Sequence, residues 1–145
     1  MSETILEQVQ ADVRTAMKAG ERGRAAALRM VVDALQQDAK FGKGDEVAVL
    51  QRERKKRLEA AEAFAGAGRE EQAAEERREG ELIEAYLPRQ LSPEELGELV
   101  DAAIAETGAS ELKQIGQVMA VLMGKLGGRA EGKRVSAAVR EKLGA

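Results

Sequence analysis

Apolar residues recur at spacings of three and four along almost the whole chain, which is the period of an amphipathic α-helix. Ile5, Val9, Val13 and Met17, for example, lie four residues apart and form one stripe on a helix over about residues 3–19. The same pattern, with its glycine and proline breaks, predicts a second helix that ends at 42–44, a third over 45–66, a fourth over 69–87, a fifth from about 93, a sixth over about 115–126 and a seventh over about 135–143. No segment has the alternation of a strand, so the sequence predicts an all-α fold.

The segment from Pro88 to Ser92 separates two groups of helices. The residue before a proline is pushed out of the α region, so the fourth helix is expected to end here. Ser92, Pro93 and Glu95 then have the spacing of a capping box with proline at the first helical position. We therefore expect two domains: a four-helix bundle over residues 1–89, and a small three-helix bundle over residues 90–145 that carries a basic C-terminal surface.

Composition excludes several kinds of chemistry. The 145 residues include no Cys and no His, which rules out disulfides, thiol nucleophiles, zinc fingers and Ser-His-Asp triads. The Glu-rich fourth helix lacks the Glu-x-x-His motif that a helical di-metal site normally uses. Phe41, Phe64 and Tyr86 are the only aromatic residues, too few for the usual single-strand nucleic-acid binder. We expect no catalytic residue, no metal and no cofactor, and a packing role for Tyr86 with its hydroxyl directed outward.

The N-terminal segment is acidic where a signal peptide is basic, and no run of roughly 20 apolar residues occurs that would cross a bilayer. The sequence thus predicts a cytoplasmic protein that does not associate with membranes. Its net charge is −3, and we expect no binding to DNA.

Charge is distributed unevenly along the chain. Residues 52–57, RERKKR, contain five bases, and residues 70–84 contain seven Glu. If the third and fourth helices fold back on each other at 66–68, the two runs come close together and partly neutralise each other. Such exposed pairs contribute only about 0.2–1 kcal/mol each. The alternative is that RERKKR forms a patch for an anionic ligand.

The C-terminal residues 124–145 have six bases and two acids. A local basic field of this kind attracts phosphate even on an acidic protein. Glycines lie among the bases just before the last helix, whose N-terminus favours an anion. The candidate residues are Lys125, Gly127, Gly128, Arg129, Lys133, Arg134 and Arg140. The alternative is an ordinary helix end and turn, with the bases solvating the surface.

Five segments together resemble the GatB/YqeY family. They are AMKAG (16–20), ALRMVVDAL (27–35), YLPRQLSPEEL (86–96), IGQVMAVLM (115–123) and GRAEGKRVSAAV (128–139). They span nearly the whole chain, and the similarity is closest to the free-standing YqeY-like branch, which is itself similar to the tail domain of the GatB subunit of aminoacyl-tRNA amidotransferase. The resemblance implies an all-helical four-plus-three arrangement.

The resemblance also implies a connection with tRNA. The GatB tail helps to hold misacylated tRNA while other domains perform amide transfer, a carbon–nitrogen ligase reaction with glutamine as the amido-N-donor. The catalytic domain of GatB has no counterpart here, so this chain is not expected to be catalytic alone. Where the family often has Asp-Met-Gly-Lys, this chain has Gln114 to Gln117, and we interpret its Gly116 as allowing close helix packing.

Three hypotheses follow from these observations. In the first, the chain is a tRNA-associated accessory module whose C-terminal bases contact phosphate. In the second, it is a protein–protein adaptor that uses an apolar groove between the bundles and makes no RNA contact. In the third, it is an accessory partner of an amidotransferase or another aminoacyl-tRNA-related protein.

Overall fold

The computed structural model describes residues 3–144 and is all-helical over that range. Its helices are α1 (Ile5–Lys18), α2 (Arg22–Phe41), α3 (Glu46–Gly66), α4 (Glu70–Glu84), α5 (Pro93–Thr107), α6 (Ile115–Leu126) and α7 (Gly132–Gly144), with a 3-10 turn over Leu112–Gln114. Residues 3–144 contain no strand, so the predicted all-α class is confirmed.

Helix starts follow the local capping residues. The side chain of Ser92 accepts a hydrogen bond from the Glu95 N–H, and the Glu95 carboxylate accepts one from the Ser92 N–H, so the expected capping box is present. Thr4 and Glu7 form a second capping box before α1, which the sequence pattern Thr-x-x-Glu could have indicated. Asp45 caps α3 by accepting from the Ala48 N–H.

Helix α4 ends at Glu84, three residues before the predicted end at Leu87. The N–H groups of Tyr86 and Leu87 bond to carbonyls three residues back, at Ile83 and Glu84. This tighter turn uses up the last carbonyls of the helix, so the chain leaves the α conformation before Pro88 is reached.

The chain divides into two compact units, with the division between Leu87 and Pro88. The first unit contains α1 to α4, and its core is formed by apolar residues of all four helices. These residues are Val9, Val13, Leu28, Val31, Leu35, Val49, Leu50 and Ile83. In this unit α1 packs mainly on α2, and α3 mainly on α4.

The second unit contains α5 to α7 and has a separate core. Its buried residues are Leu91, Leu96, Val100, Ala103, Ala109, Val118, Leu122, Leu126, Ala130, Val135, Val139 and Leu143. The start of this unit is fixed to the loop before α7, because the Leu91 N–H donates to the Arg129 carbonyl at 2.8 Å. The Gln90 amide donates to the Gly128 carbonyl at 3.2 Å.

The hydrogen bonds around the capping box of α5 affect the pKa of the Glu95 carboxyl. Arg89 donates two hydrogen bonds to this carboxylate, at 2.8 and 3.1 Å, and these bonds, with those from Ser92, lower the pKa of Glu95 to about 2. Its stabilising effect is therefore present above the ordinary pKa near 4.5 and is lost as the pH falls toward 2. We expect Arg89→Ala to raise the Glu95 pKa toward 4.5, measured by NMR titration of the side-chain carboxyl. A pKa that stays near 2 in Arg89→Ala would contradict the assigned cause.

Candidate functional site

Helix α7 presents three bases on its solvent side. Its buried side is formed by Val135, Val139 and Leu143. Lys133 and Arg140 are two turns apart on the opposite side and are exposed, and Arg134 lies beside them, half-buried. No ion pair or side-chain hydrogen bond within residues 3–144 involves these three bases. We call them the α7 basic face.

Lys125 differs from these three bases because its ammonium group is 2.6 Å from a carboxylate oxygen of Glu106 on α5. Lys142 of α7 is 2.8 Å from a carboxylate oxygen of Asp101, which also lies on α5. Both pairs join the C-terminal helices to α5 and neutralise one positive charge each. Among the bases of residues 124–145, those without an acidic partner in the described residues are therefore the three of the α7 basic face and Arg129.

Arg129 has its guanidinium group at the C-terminal end of α6. Its Nε donates to the Leu126 carbonyl at 3.0 Å, and its Nη2 donates to the Lys125 carbonyl at 3.2 Å. Helix C-termini leave carbonyls unpaired and have a negative dipole end, so a guanidinium is stabilising there. The structure thus gives Arg129 a capping contact, which the sequence did not indicate.

Gly127 and Gly128 connect the end of α6 to the loop before α7. Both have positive φ, +55° and +82°, a conformation in which a side chain is strained. Gly127 ends α6 in the left-handed conformation. The glycines are therefore required by the turn, and the exposed backbone at Gly127 lies at the start of the loop that leads to Lys133.

The basic run RERKKR is largely paired within the first unit. Arg54 lies 3.5 Å from Glu84, and Arg57 lies 3.6 Å from both Glu76 and Glu79 on antiparallel α4. Arg57 also lies 3.9 Å from Glu53 on its own helix. The interpretation that the two charge runs neutralise each other is confirmed for these residues.

Glu79 is the carboxylate most affected by this cluster. Its pKa is raised above 4.5, first by burial and then by repulsion from Glu76, with Arg57 acting in the opposite direction. Glu79, Glu75 and Arg78 also line a groove of about 610 Å³ between α2 and α4, together with Arg24. Three Glu and two Arg line this groove, so it has no dominant charge for a ligand to recognise.

Within residues 3–144, no group of three acidic side chains is placed to hold a metal ion. Nor does any helix in that range have both the length and the apolar character needed to span a bilayer.

A family model described as Yqey-like protein matches residues 6–143. The chain belongs to the YqeY-like family. The match covers all seven helices except the first residue of α1 and the last residue of α7, and it confirms the resemblance of the five sequence segments to the YqeY-like branch. Comparison with curated proteins gives no match.

Two interpretations of individual residues in this YqeY-like chain were wrong. A Cβ on Gly116 would meet nothing within 4 Å, so this glycine does not mediate close packing. Gly80 of α4 is buried instead, where a Cβ would contact Leu58 and Arg57 of α3 at 3.6–3.7 Å. The hydroxyl of Tyr86 is not directed outward, because it donates a hydrogen bond to Asp12 of α1. That bond and burial raise the pKa of Tyr86, burial being the larger cause.

Proposed function

We propose that this YqeY-like chain is a non-catalytic accessory protein that contacts the phosphates of tRNA through the α7 basic face. The observation that carries the proposal is the arrangement of Lys133, Arg134 and Arg140 on the solvent side of one helix, without acidic partners in the described residues. The neighbouring bases Lys125 and Lys142 are already neutralised by Glu106 and Asp101.

The chemistry of these side chains favours an RNA backbone as the ligand. Lys and Arg contacts to phosphate fix the position of a protein on a nucleic acid without reading its sequence. Double-stranded RNA is recognised mostly by shape and backbone, which requires no aromatic platform. The α7 basic face has no aromatic residue, so it is suited to the helical stem of a folded RNA.

We infer that α1–α4 form a four-helix bundle and α5–α7 a three-helix bundle, as in the resembling family. In this proposal the chain is related to glutamine-dependent amidotransferases through a common tRNA ligand. The carbon–nitrogen ligase chemistry belongs to other domains of those enzymes. An adaptor that binds only protein is the competing function.

We expect the full chain to bind tRNA in a manner that weakens steeply with salt. Each neutralised phosphate contributes about 0.7–0.9 to the slope of log affinity against log salt. Replacing Lys133, Arg134 and Arg140 together with Gln should reduce that slope by about two to three. Fluorescence anisotropy of labelled tRNA at several salt concentrations would measure it, and circular dichroism should show unchanged helix content.

The matched control is the triple variant of Arg14, Lys18 and Arg22 to Gln. These three bases are also exposed and unpaired within residues 3–144, but they lie on α1 and α2. The control should keep most of the salt slope although it loses the same charge. Equal loss in both variants, or no salt-dependent binding by the wild type, would overturn the RNA proposal, and the second result would favour the adaptor.

A further inference from the structure

The C-terminal end of α2 exposes an aromatic ring. Phe41 is 80% exposed, more than any other large apolar residue in the described part of the chain. Its ring borders a shallow groove of about 320 Å³ between the end of α2 and the first half of α3, a volume near the lower limit of ligand sites. The groove is also lined by Ala34, Gln37, Asp38, Gly42, Val49, Arg52, Glu53 and Lys56. We call this site the Phe41 groove.

Four bases lie on the Phe41 groove or within two residues of Phe41 in sequence. Lys40 places its ammonium group 6.0 Å from the centre of the Phe41 ring. Lys43 lies two residues after Phe41 and is exposed. Neither Lys40 nor Lys43 belongs to an ion pair within residues 3–144. Arg52 and Lys56 border the groove from α3, with side chains 62% and 70% exposed.

The two acids of the groove are already paired. Asp38 lies 3.5 Å from Arg52, and Glu53 lies 3.3 Å from Lys56. The Asp38 carboxylate also packs against Gly42, where a Cβ would collide with it, so this glycine holds the carboxylate close to the backbone. The positive charge that remains unpaired at the site is that of Lys40 and Lys43.

We propose that the Phe41 groove binds one unpaired nucleotide of an RNA, with the base stacked on the Phe41 ring and the adjacent phosphate held by Lys40 and Lys43. Stacking on an exposed ring is tolerant of base identity, since every base has a π face. Gln37, whose amide offers both donors and an acceptor, also lines the groove and could bond the edge of the stacked base.

The lining of the groove favours a nucleotide over a protein partner. An apolar helix or a second copy of the chain would need several apolar side chains to pack against. Only Ala34, Val49 and Phe41 are apolar in this groove, and Val49 is buried in the core. A single ring also limits the site to one base, in agreement with the expectation that this chain does not bind a long single strand.

The Phe41 groove belongs to the first unit and the α7 basic face to the second, and they share no residue. Each can therefore bind RNA without the other. An experiment on the full chain separates them because the two sites respond to different RNA probes: a blunt duplex offers phosphates only, whereas a hairpin with an open loop also offers unpaired bases.

The chain contains no Trp, so Phe41→Trp introduces a single fluorescent reporter at the site. We expect an RNA hairpin with an unpaired loop to quench this Trp, because a stacked base lies directly on the indole. A blunt RNA duplex with the same number of phosphates, and inorganic polyphosphate, should leave the signal unchanged. Quenching should persist when Lys133, Arg134 and Arg140 are replaced with Gln, at a hairpin concentration raised to compensate for any weaker binding.

Phe41→Leu keeps an apolar side chain but removes the flat ring. It should weaken hairpin binding roughly 5- to 150-fold, since a base–aromatic stack contributes about 1–3 kcal/mol, and leave duplex binding unchanged. Leu112→Ala, at an exposed apolar position in the second unit, is the control and should not affect binding. Equal hairpin binding by Phe41→Leu and the wild type would overturn the proposal. So would equal quenching by hairpin and duplex, or self-association of the wild type that Phe41→Leu abolishes.

Discussion

Replacing Leu122 with Ala is expected to unfold the second unit well below the temperature at which the first unit unfolds. Leu122 is fully buried in the core formed by α5, α6 and α7. Truncating such a Leu costs about 2–5 kcal/mol, because transfer energy is lost and a cavity remains. For a unit of this size the loss corresponds to a fall of roughly 10–30 °C in the melting temperature.

The distribution of aromatic residues allows the two units to be followed separately. Tyr86 is the only Tyr of the chain and belongs to the first unit. Far-ultraviolet circular dichroism reports helices of both units, whereas the near-ultraviolet Tyr signal reports the first unit. We expect Leu122→Ala to lower the melting temperature of the second unit, so that part of the far-ultraviolet signal is lost at a lower temperature. The melting temperature given by the Tyr signal should stay unchanged. A common shift of both signals would show that the two units unfold cooperatively and would contradict the prediction.

Met123→Ala provides the matched control for this experiment. Met123 is the next residue on α6, but it is 46% exposed, so its removal leaves no cavity. The free energy of unfolding of each unit should stay within about 1 kcal/mol of its wild-type value.

The second large effect is expected on replacing Arg57 with Ala. The Arg57 side chain is 18% exposed and lies within 4 Å of the carboxylates of Glu53, Glu76 and Glu79. Among residues 3–144, Arg57 is the one base that lies within 4 Å of all three, so its removal lets these carboxylates repel one another between α3 and α4. We expect a loss of about 3 kcal/mol in the free energy of unfolding, at the lower end for a broken buried pair because the cluster is partly solvated.

The loss should depend on pH in a defined direction. The pKa of Glu79 in the folded protein is raised above 4.5, so the folded state binds this proton more tightly than the unfolded chain. Its contribution therefore favours folding at low pH and is lost as the pH rises through the folded pKa. Arg57 lowers the Glu79 pKa, so its removal raises that pKa further. Urea denaturation should show a larger loss for Arg57→Ala at pH 7 than near pH 5.

Two further variants test whether charge is the cause. Lys55→Ala removes an exposed base of the same helix, whose partner Glu59 is 4.0 Å away, and should cost less than about 1 kcal/mol. Glu79→Gln added to Arg57→Ala should restore part of the lost stability. If Arg57→Ala is equally destabilising at pH 7 and pH 5, or if Glu79→Gln gives no recovery, the repulsion account is wrong.

Signals that act over a few residues allowed the helices of this protein to be predicted from the sequence. The capping box at Ser92 and the break at Pro88 determine where α5 begins and where α4 must already have ended. The five bases of 52–57 and the seven Glu of 70–84 lie on consecutive helices joined by a short turn, so their contact followed from the sequence order. The five familiar segments were sufficient to indicate the family.

Other features depend on which sides of distant helices meet. Glu46 on α3 accepts hydrogen bonds from the N–H groups of Ile5 and Leu6, at 3.1 and 2.8 Å, and so caps a helix about 40 residues earlier in the chain. Tyr86 bonds Asp12 across the first unit. No local pattern predicts such contacts, because they depend on how each helix is rotated and placed against its neighbours.

The packing of the helices also explains why the candidate basic residues differ from one another in the structure. The concentration of bases in residues 124–145 is evident from the order of the amino acids. Which of these bases meet a partner depends on the packing of the helices: Lys125 meets Glu106 because α6 packs on α5, and Arg129 turns back onto the end of α6. Likewise, hydrophobicity alone gave no reason to expect Phe41 outside the core. It is exposed because it lies at the last position of α2, beyond the part of that helix that packs against α1 and α3.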